Sequence, residues 1–230
     1  MAILLKNNSL FLHIPKTGGS WVTDVLKAND LIKYPVYRMH GDMDELYWFT
    51  MFHPIYKPSK LVQPILKDGS NFKSIVRNSY KFCFVRNPFS WYESFWKYQM
   101  TIGWQTWGQP IRGLRNWHPN ALLNNIKDDD FNTFVTKVIE LYPGYLTEMY
   151  NYYTQRHVDY VGKQENLAEN LVEVLQKTGI KIDESLILNH QKVNVSKPKK
   201  GARLEWDSAL KEEVYKTEYV AFKRYGYQLT

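Results

Sequence analysis

Short apolar runs alternate with segments of helical periodicity along most of this chain. The apolar run Leu10–Ile14 predicts a buried strand, and after Pro15 and two glycines the apolar positions recur at helical spacing, at Trp21, Val22, Val25 and Leu26. The run Lys81–Val85 predicts a second buried strand, and a helix is expected over Trp91–Trp96. Each of the two strands therefore leads through a turn into a helix.

The second half of the chain is predicted to be mainly helical. Three aspartates, Asp128–Asp130, precede an amphipathic helix whose apolar face carries Phe131, Phe134, Val135, Val138 and Leu141. A strand at Val158–Val161 and a helix over Leu167–Lys177, ended by Gly179, follow. A last helix is expected from about Asp207 or Ser208, with apolar positions at Leu210, Val214, Ala221 and Tyr225.

This order of elements predicts one α/β domain over residues 1–230. We expect a three-layer, P-loop-like fold in which helices flank a central, mainly parallel sheet. Residues 98–127 contain several glycines and prolines, so they are predicted to form an irregular, aromatic-rich insertion.

The composition is that of a globular protein and excludes several classes. Of the 230 residues, 44% are hydrophobic and 16% aromatic, and Cys83 is the one cysteine. A single cysteine excludes a disulfide scaffold and a cysteine zinc site. No apolar run reaches the roughly 18 residues that a membrane-spanning helix needs, and the N-terminus lacks the features of a secretory signal. A cytoplasmic protein without a membrane anchor is therefore expected.

The net charge of +7 is concentrated in two segments. Seven basic residues and one acidic residue, Asp68, lie between Lys57 and Arg86, while five basic residues and no acidic one lie between Lys192 and Arg203. Segments of this kind indicate an anionic partner, such as nucleic acid, a nucleotide or an acidic polymer. The alternative interpretation is a solvated basic face without a partner.

The turn PKTGGS at residues 15–20 has the composition of a phosphate-binding loop. Gly18 and Gly19 allow the backbone to approach an anion, and the following helix offers unpaired N–H groups. Lys16 adds a positive charge, and Thr17 and Ser20 add hydroxyl donors. The loop differs from the pattern GxxxxGK[ST], because its lysine precedes the glycines. The alternative is a glycine turn that binds no ligand.

Two motifs resemble those of sulfotransferases that use 3′-phosphoadenosine 5′-phosphosulfate (PAPS). The segment FLHIPKTGGSWV resembles their 5′-phosphosulfate loop, which implies that the cofactor-binding residues are Lys16, Thr17, Gly18, Gly19, Ser20 and Trp21. The segment FCFVRNPFSWYESFW carries Arg86 after a strand and Ser94 eight residues later, as in this family. The resemblance implies that Arg86 and Ser94 bind the 3′-phosphate, and an arginine can hold a phosphate with two hydrogen bonds.

The resemblance continues towards the C-terminus. The segment VDYVGKQENLAENLVEVLQKTGI resembles a segment of the Golgi carbohydrate sulfotransferases, although Gln164 stands where that family usually has an aromatic residue. The tail from Asn194 resembles their C-terminal segment, which implies that a basic loop with Lys197, Lys199 and Lys200 closes over the nucleotide. The second basic segment would then serve the same nucleotide.

The acceptor hydroxyl needs a base, and histidine titrates in a suitable range. The segment RMHGDMDELYWF resembles the one that bears the catalytic histidine of heparan sulfate 6-O-sulfotransferases, which implies that His40 is the base and that Asp42 or Glu45 orients it. A second register, against the HGH of the uronyl 2-O enzymes, aligns Asp42 with the catalytic histidine. His53 is the second choice for the base, and His13 is expected to shape the phosphate loop. No pair of histidines has metal-ligand spacing, so no metal is expected.

The tryptophans of the irregular region are candidates for acceptor binding. Trp104 and Trp107 are interleaved with Arg112 and Arg115, and indole faces stack on sugar rings while arginines hold carboxylates or sulfates. The alternative is a loop that folds on its own aromatic cluster. By contrast, two tryptophans of the preceding helix are expected in the core, Trp91 and Trp96.

The predicted function is transfer of a sulfuryl group from PAPS to an acceptor hydroxyl, expected on a carbohydrate, although small molecules and lipids remain open. One alternative is a magnesium-dependent kinase with an atypical phosphate loop. The other is a non-catalytic protein that binds an acidic glycan or nucleic acid. Both phosphate motifs fit one nucleotide, so nucleic acid is not the expected partner.

Overall fold

A computed structural model describes residues 2–36, 72–106, 118–154, 158–191 and 204–229. The chain divides into two compact units, the first formed by Met1–Phe84 with Tyr152–Val193 and the second by Val85–Asn151 with Asn194–Thr230. No observation here tests the prediction of one domain, which stays a prediction.

The first unit is built on a five-stranded sheet. Its strands are β1 (Ile3–Leu5), β2 (Leu10–Leu12), β3 (Ile32–Pro35), β4 (Lys81–Val85) and β5 (Tyr160–Lys163), and their order across the sheet is β3-β1-β2-β4-β5. Strand β2 pairs in parallel with β4, and β1 pairs antiparallel with both β2 and β3. Strands β2, β3 and β4 therefore run in one direction and β1 runs against them, so the sheet is mainly parallel, as predicted.

Helices flank this sheet. They are α1 (Gly19–Ala28), α2 (Phe72–Asn78), α6 (Leu167–Lys177) and α7 (Glu184–Leu188), and a 3₁₀ turn at Gln164–Asn166 leads into α6. The predicted apolar positions of α1 and the buried residues of α6 join the sheet in one hydrophobic cluster with Phe11, Phe82 and Phe84. Burial of these faces fixes both helices on the sheet, because apolar area removed from water contributes about 25 cal/mol per Å².

The second unit is helical, and its core is mostly aromatic. It contains α3 (Pro88–Ile102), a 3₁₀ helix (Pro119–Asn125), α4 (Phe131–Leu141), α5 (Tyr145–Thr154), α8 (Ser208–Thr217) and α9 (Tyr219–Arg224). Trp91 stacks on Phe95 with ring centroids 5.2 Å apart, and Phe95 stacks on Phe134 at 5.9 Å. Trp91 and Trp96 are both fully buried, so the prediction that they belong to the core is confirmed.

Several predicted elements are correct, and others need correction. Strand β4 and helix α6 have the predicted bounds, and Gly179 after α6 has a φ of 77°. Leu141 was expected on the apolar face of α4 but is 62% exposed, because the helix ends there and the chain turns away at Tyr142. Both ends of the region predicted to be irregular are helical, since α3 extends to Ile102 and a 3₁₀ helix occupies Pro119–Asn125.

The prediction of one last helix is wrong. Helices α8 and α9 are separated by Glu218, whose φ of −99° and ψ of 16° leave the helical region, and Tyr225 follows the end of α9. The sequence pattern also missed five strands and α-helices, which are β1, β3, α2, α5 and α7.

Candidate active site

The loop between β2 and α1 contains the predicted phosphate-binding residues. Strand β2 ends at Leu12, and α1 begins at Gly19, one residue after its N-cap, Gly18. The first hydrogen bond of the helix runs from the N–H of Val22 to the carbonyl of Gly18 at 3.2 Å. The N–H groups of Gly19, Ser20 and Trp21 therefore have no acceptor in a preceding helical turn, and they lie at the positive end of the helix dipole.

Two residues of this loop adopt left-handed backbone geometry. Gly18 has a φ of 86°, which glycine adopts without strain, and Lys16 has a φ of 64°. A lysine in this region costs about 1 kcal/mol or more, and such strain persists only where the surrounding structure holds it. Lys16 is half-buried.

Tight packing explains both glycines. A Cβ atom at position 19 would lie 2.0 Å from Cδ2 of His13, which is buried at the end of β2 and stacks on Phe11 at 6.0 Å. A Cβ atom at position 18 would lie 2.5 Å from Cδ2 of Leu167, at the start of α6. His13 therefore shapes the loop, as expected, and Leu167 covers it from the segment that resembles the carbohydrate enzymes.

The side chains of the loop differ in their surroundings. Thr17 is 1% exposed, and its hydroxyl donates to the carbonyl of Ile14 at 3.0 Å, so in this conformation its proton is used inside the loop. Ser20 is exposed. Trp21 is 9% exposed and belongs to the hydrophobic core, so most of its ring is covered by protein.

A histidine without a role in the sequence interpretation lies beside α1. The Nε2 atom of His190 is 2.9 Å from Oδ2 of Asp24, and its ring meets the edge of Trp21 at 5.9 Å between centroids. His190 thus contacts the first two turns of α1, the helix that begins at the phosphate loop.

The second motif forms the turn from β4 into α3. Asn87 is the N-cap of α3 and accepts a hydrogen bond from the N–H of Phe89 at 2.9 Å, while Pro88 occupies the first helical position, where its missing N–H costs nothing. Arg86 and Ser94 are both half-buried, Arg86 immediately before the cap and Ser94 on α3. The sequence Arg-Asn-Pro therefore has a structural reason, and it leaves Arg86 between a buried strand and a capped helix.

The backbone of Arg86 is held by a tyrosine that the sequence did not indicate. The hydroxyl of Tyr150 donates to the carbonyl of Arg86 at 2.7 Å and accepts from its N–H at 3.1 Å. Tyr150 lies on α5, an element that the sequence pattern missed. No signal in YLTEMYNYYT distinguishes this tyrosine from its neighbours.

A buried carboxylate joins the elements around this turn. Glu218 is fully buried and accepts from the hydroxyl of Tyr92 at 2.8 Å and from the N–H groups of Leu146 and Thr147 at 3.0 and 2.8 Å. The hydroxyl of Thr147 donates to it at 2.7 Å. Burial, and then the adjacent Glu218, raise the pKa of Tyr92 well above its usual value. Glu218 therefore caps α5 and ties it to α3.

One lysine of the first basic segment is buried. Lys81 belongs to the first basic segment, but it is 2% exposed, and its Nζ donates to the carbonyl of Ser79 at 2.9 Å. Burial lowers its pKa, and the neighbouring Asp159 opposes that shift. Lys81 is therefore a structural residue at the start of β4 rather than a contact for an anionic partner.

The acceptor-side candidates are described only in part. Trp104 donates from Nε1 to Oδ1 of Asp129 at 3.1 Å, and its ring lies 5.5 Å from that of Phe134, so it packs on its own unit. The other acceptor-side candidates lie outside the described residues, namely His40, Asp42, His53, Trp107, Arg112 and Arg115. The lysines expected to close over the nucleotide also lie outside them, namely Lys197, Lys199 and Lys200.

These features define a mainly parallel α/β protein with a glycine-containing loop at a helix N-terminus. A family model described as the sulfotransferase family matches residues 3–228, and the chain therefore belongs to that family. No curated protein and no solved structure shows a significant match to the chain. The match spans nearly the whole sequence, so the prediction of a sulfotransferase enzyme is confirmed. Among the helices of the described ranges, none has the length and apolar character needed to cross a membrane.

Proposed function

We propose that this protein transfers a sulfuryl group from PAPS to a hydroxyl group of a carbohydrate acceptor, on a three-layer, P-loop-like fold. The observation that carries the proposal is the loop between β2 and α1, in a chain that matches the sulfotransferase family from residue 3 to residue 228. Glycines without room for a side chain and N–H groups at a helix start fit a phosphate group.

The loop would bind the donor's 5′ end. The N–H groups of Gly19 and Ser20 and the hydroxyl of Ser20 would bind the negative charge of a 5′-phosphosulfate, and Lys16 would neutralise negative charge on the oxygen that leaves the sulfur. Thr17 would contribute its backbone and Trp21 a nearby ring edge. Bound PAPS supplies an activated sulfuryl group whose bond to the 5′-phosphate breaks as the bond to the acceptor oxygen forms.

The remaining contacts follow from the resemblance. Arg86 and Ser94 would bind the 3′-phosphate, and the basic residues of the tail would cover the nucleotide, namely Lys197, Lys199 and Lys200. His40 would take the proton of the acceptor hydroxyl. Acceptor-binding residues would come from Asp42, His53, Trp104, Trp107, Arg112 and Arg115. The cytoplasmic location stays a prediction.

Nucleotide binding tests the donor. Calorimetry should show that adenosine 3′,5′-bisphosphate binds more tightly than ATP, without added metal. Tighter binding of ATP, with magnesium-dependent transfer of its γ-phosphate, would instead support the kinase. Salt-sensitive binding of an acidic polymer without nucleotide affinity would support the non-catalytic binder.

Transfer of labelled sulfuryl from PAPS to a panel of sugars, phenols and lipid alcohols tests the acceptor. Labelling of sugars is expected, and labelling of the phenols or lipid alcohols alone would refute a carbohydrate acceptor.

Lys16→Ala should lower kcat by about 10²-fold or more, since it removes charge stabilisation at the leaving oxygen. Lys27→Ala, an exposed lysine in the last turn of α1, is the matched control and should retain activity. Full turnover by His40→Ala would show that the base is elsewhere.

A further inference from the structure

The backbone of Arg86 is held at both of its polar groups by one side chain. The hydroxyl of Tyr150 donates to the carbonyl of Arg86 at 2.7 Å and accepts from its N–H at 3.1 Å. One hydroxyl therefore satisfies both backbone polar groups of Arg86, as a neighbouring strand does for residues within a sheet. This contact fixes the Cα position of Arg86 from the side of α5.

Tyr150 is itself firmly held. It is fully buried, and the edge of its ring meets Tyr225 with centroids 5.7 Å apart. Tyr150 lies on α5, and the first turn of this helix is capped by the buried carboxylate of Glu218. The hydroxyl thus sits on a helix that is fixed at its start, against a packed aromatic ring.

We propose that Tyr150 is a positioning residue for Arg86 and that it sets the affinity of the protein for the 3′-phosphate of the donor. This inference rests on the proposed function, in which Arg86 binds that phosphate. An arginine binds phosphate best with two parallel hydrogen bonds, which demand a defined position of the guanidinium group. A fixed backbone reduces the conformational freedom that the arginine loses on binding. Neither the family match nor the resemblance assigns Tyr150 a role.

The test compares two nucleotides that differ only in the 3′-phosphate. Calorimetry gives the ratio of affinities for adenosine 3′,5′-bisphosphate and adenosine 5′-monophosphate, for the wild-type protein and for Tyr150→Phe. The variant keeps the ring and loses the hydroxyl. We expect it to lower the ratio about tenfold, as expected for one weakened charge-assisted contact, with little change for the monophosphate. In turnover, KM for PAPS should rise while kcat at saturating PAPS stays within about twofold.

Tyr145→Phe is the matched control. Tyr145 lies on the same helix and is buried, but its hydroxyl contacts the carbonyl of Pro119 and Oδ1 of Asn120 instead of Arg86. It should lose stability and keep the affinity ratio. Equal ratios in Tyr150→Phe and Tyr145→Phe would overturn the inference. A wild-type protein that does not distinguish the two nucleotides would refute the proposed donor instead.

A measurement on the wild-type protein covers the case in which Tyr150→Phe does not fold. Hydrogen exchange of the Arg86 amide, which donates to Tyr150, should slow more with the bisphosphate than with the monophosphate. Equal protection by the two nucleotides would overturn the inference.

Discussion

Replacing Glu218 should destabilise the second unit more than almost any other single change. This carboxylate is fully buried and accepts four hydrogen bonds, from the hydroxyl of Tyr92, the N–H of Leu146, and the N–H and hydroxyl of Thr147. Glu218→Ala leaves these donors facing a cavity. Removing the acceptor from a buried, charged network costs about 3–5 kcal/mol, against a total stability of about 5–15 kcal/mol.

Two further variants divide this cost. Glu218→Gln keeps an acceptor at Oε1 for Tyr92 and Leu146, but its amide N–H₂ faces the N–H of Thr147, so we expect a loss of about 1–3 kcal/mol. Tyr92→Phe removes one donor and leaves the other three, which should cost about 1 kcal/mol. The order of destabilisation is therefore Ala, then Gln, then the tyrosine variant.

Urea unfolding followed by circular dichroism at pH 7 measures these differences. Glu212→Ala provides the control, because Glu212 is an exposed residue of α8 and should change the free energy of unfolding by less than about 0.5 kcal/mol. A loss below about 1 kcal/mol for Glu218→Ala would refute the reasoning, because it would mean that water or a rearranged side chain satisfies the donors.

Three further predictions concern packing and pH. Gly19→Ala should cost about 1–3 kcal/mol in thermal unfolding, because its methyl group would lie 2.0 Å from His13. Adding His13→Ala in the same chain should restore part of that loss, and absence of any rescue would contradict the contact. Burial lowers the pKa of His118 to about 3, so as pH falls below about 6.5 this histidine takes up its proton in the unfolded chain first. The free energy of unfolding should therefore drop by about 1.4 kcal/mol per pH unit down to pH 3. Urea unfolding of His118→Asn should lack this slope. Burial raises the pKa of Tyr92 and Tyr145 well above 10. The free energy of unfolding should therefore fall as pH rises above about 10, because both tyrosines lose their protons there only in the unfolded chain. Tyr145→Phe should make this fall less steep.

The predictable elements are those whose own residues contain the evidence. Strand β4 is buried at every position, so one lysine at its start is followed by an unbroken run of four apolar residues. Helix α6 shows its buried face at the helical spacing of Leu171, Val174 and Leu175, and a glycine follows its end. The bounds of both elements can therefore be predicted correctly from the sequence.

The geometry of the loop before α1 was predictable for a related reason. Its glycines and lysine are neighbours in sequence, and the requirement for glycine comes from a contact with His13 only six residues away from Gly19. The residues of this short segment therefore determine most of its backbone geometry. The left-handed backbone of Lys16 was not foreseeable, because lysine rarely adopts it.

The missing parts depend on partners far away in sequence. Tyr92 lies 126 residues from Glu218, and Leu146 lies 72 residues from it, so nothing near Glu218 indicates that this carboxylate is buried. A glutamate between two apolar helical segments is read as a solvent-facing position, and the helix is read as continuous. Tyr150 and Arg86 are likewise 64 residues apart. Only tertiary contacts distinguish these residues from their neighbours.

The loop before α1 is organised before any anion binds. Gly19 is packed against His13, Gly18 against Leu167, and the hydroxyl of Thr17 bonds the carbonyl of Ile14. Lys16, whose backbone is left-handed, lies within this packed segment. An anion bound at the start of α1, as we propose, would therefore meet N–H groups that are already oriented, and little free energy would be lost in ordering the backbone. Variants that loosen this packing, such as Leu167→Ala, should weaken nucleotide binding although Leu167 is not a proposed contact of the phosphate.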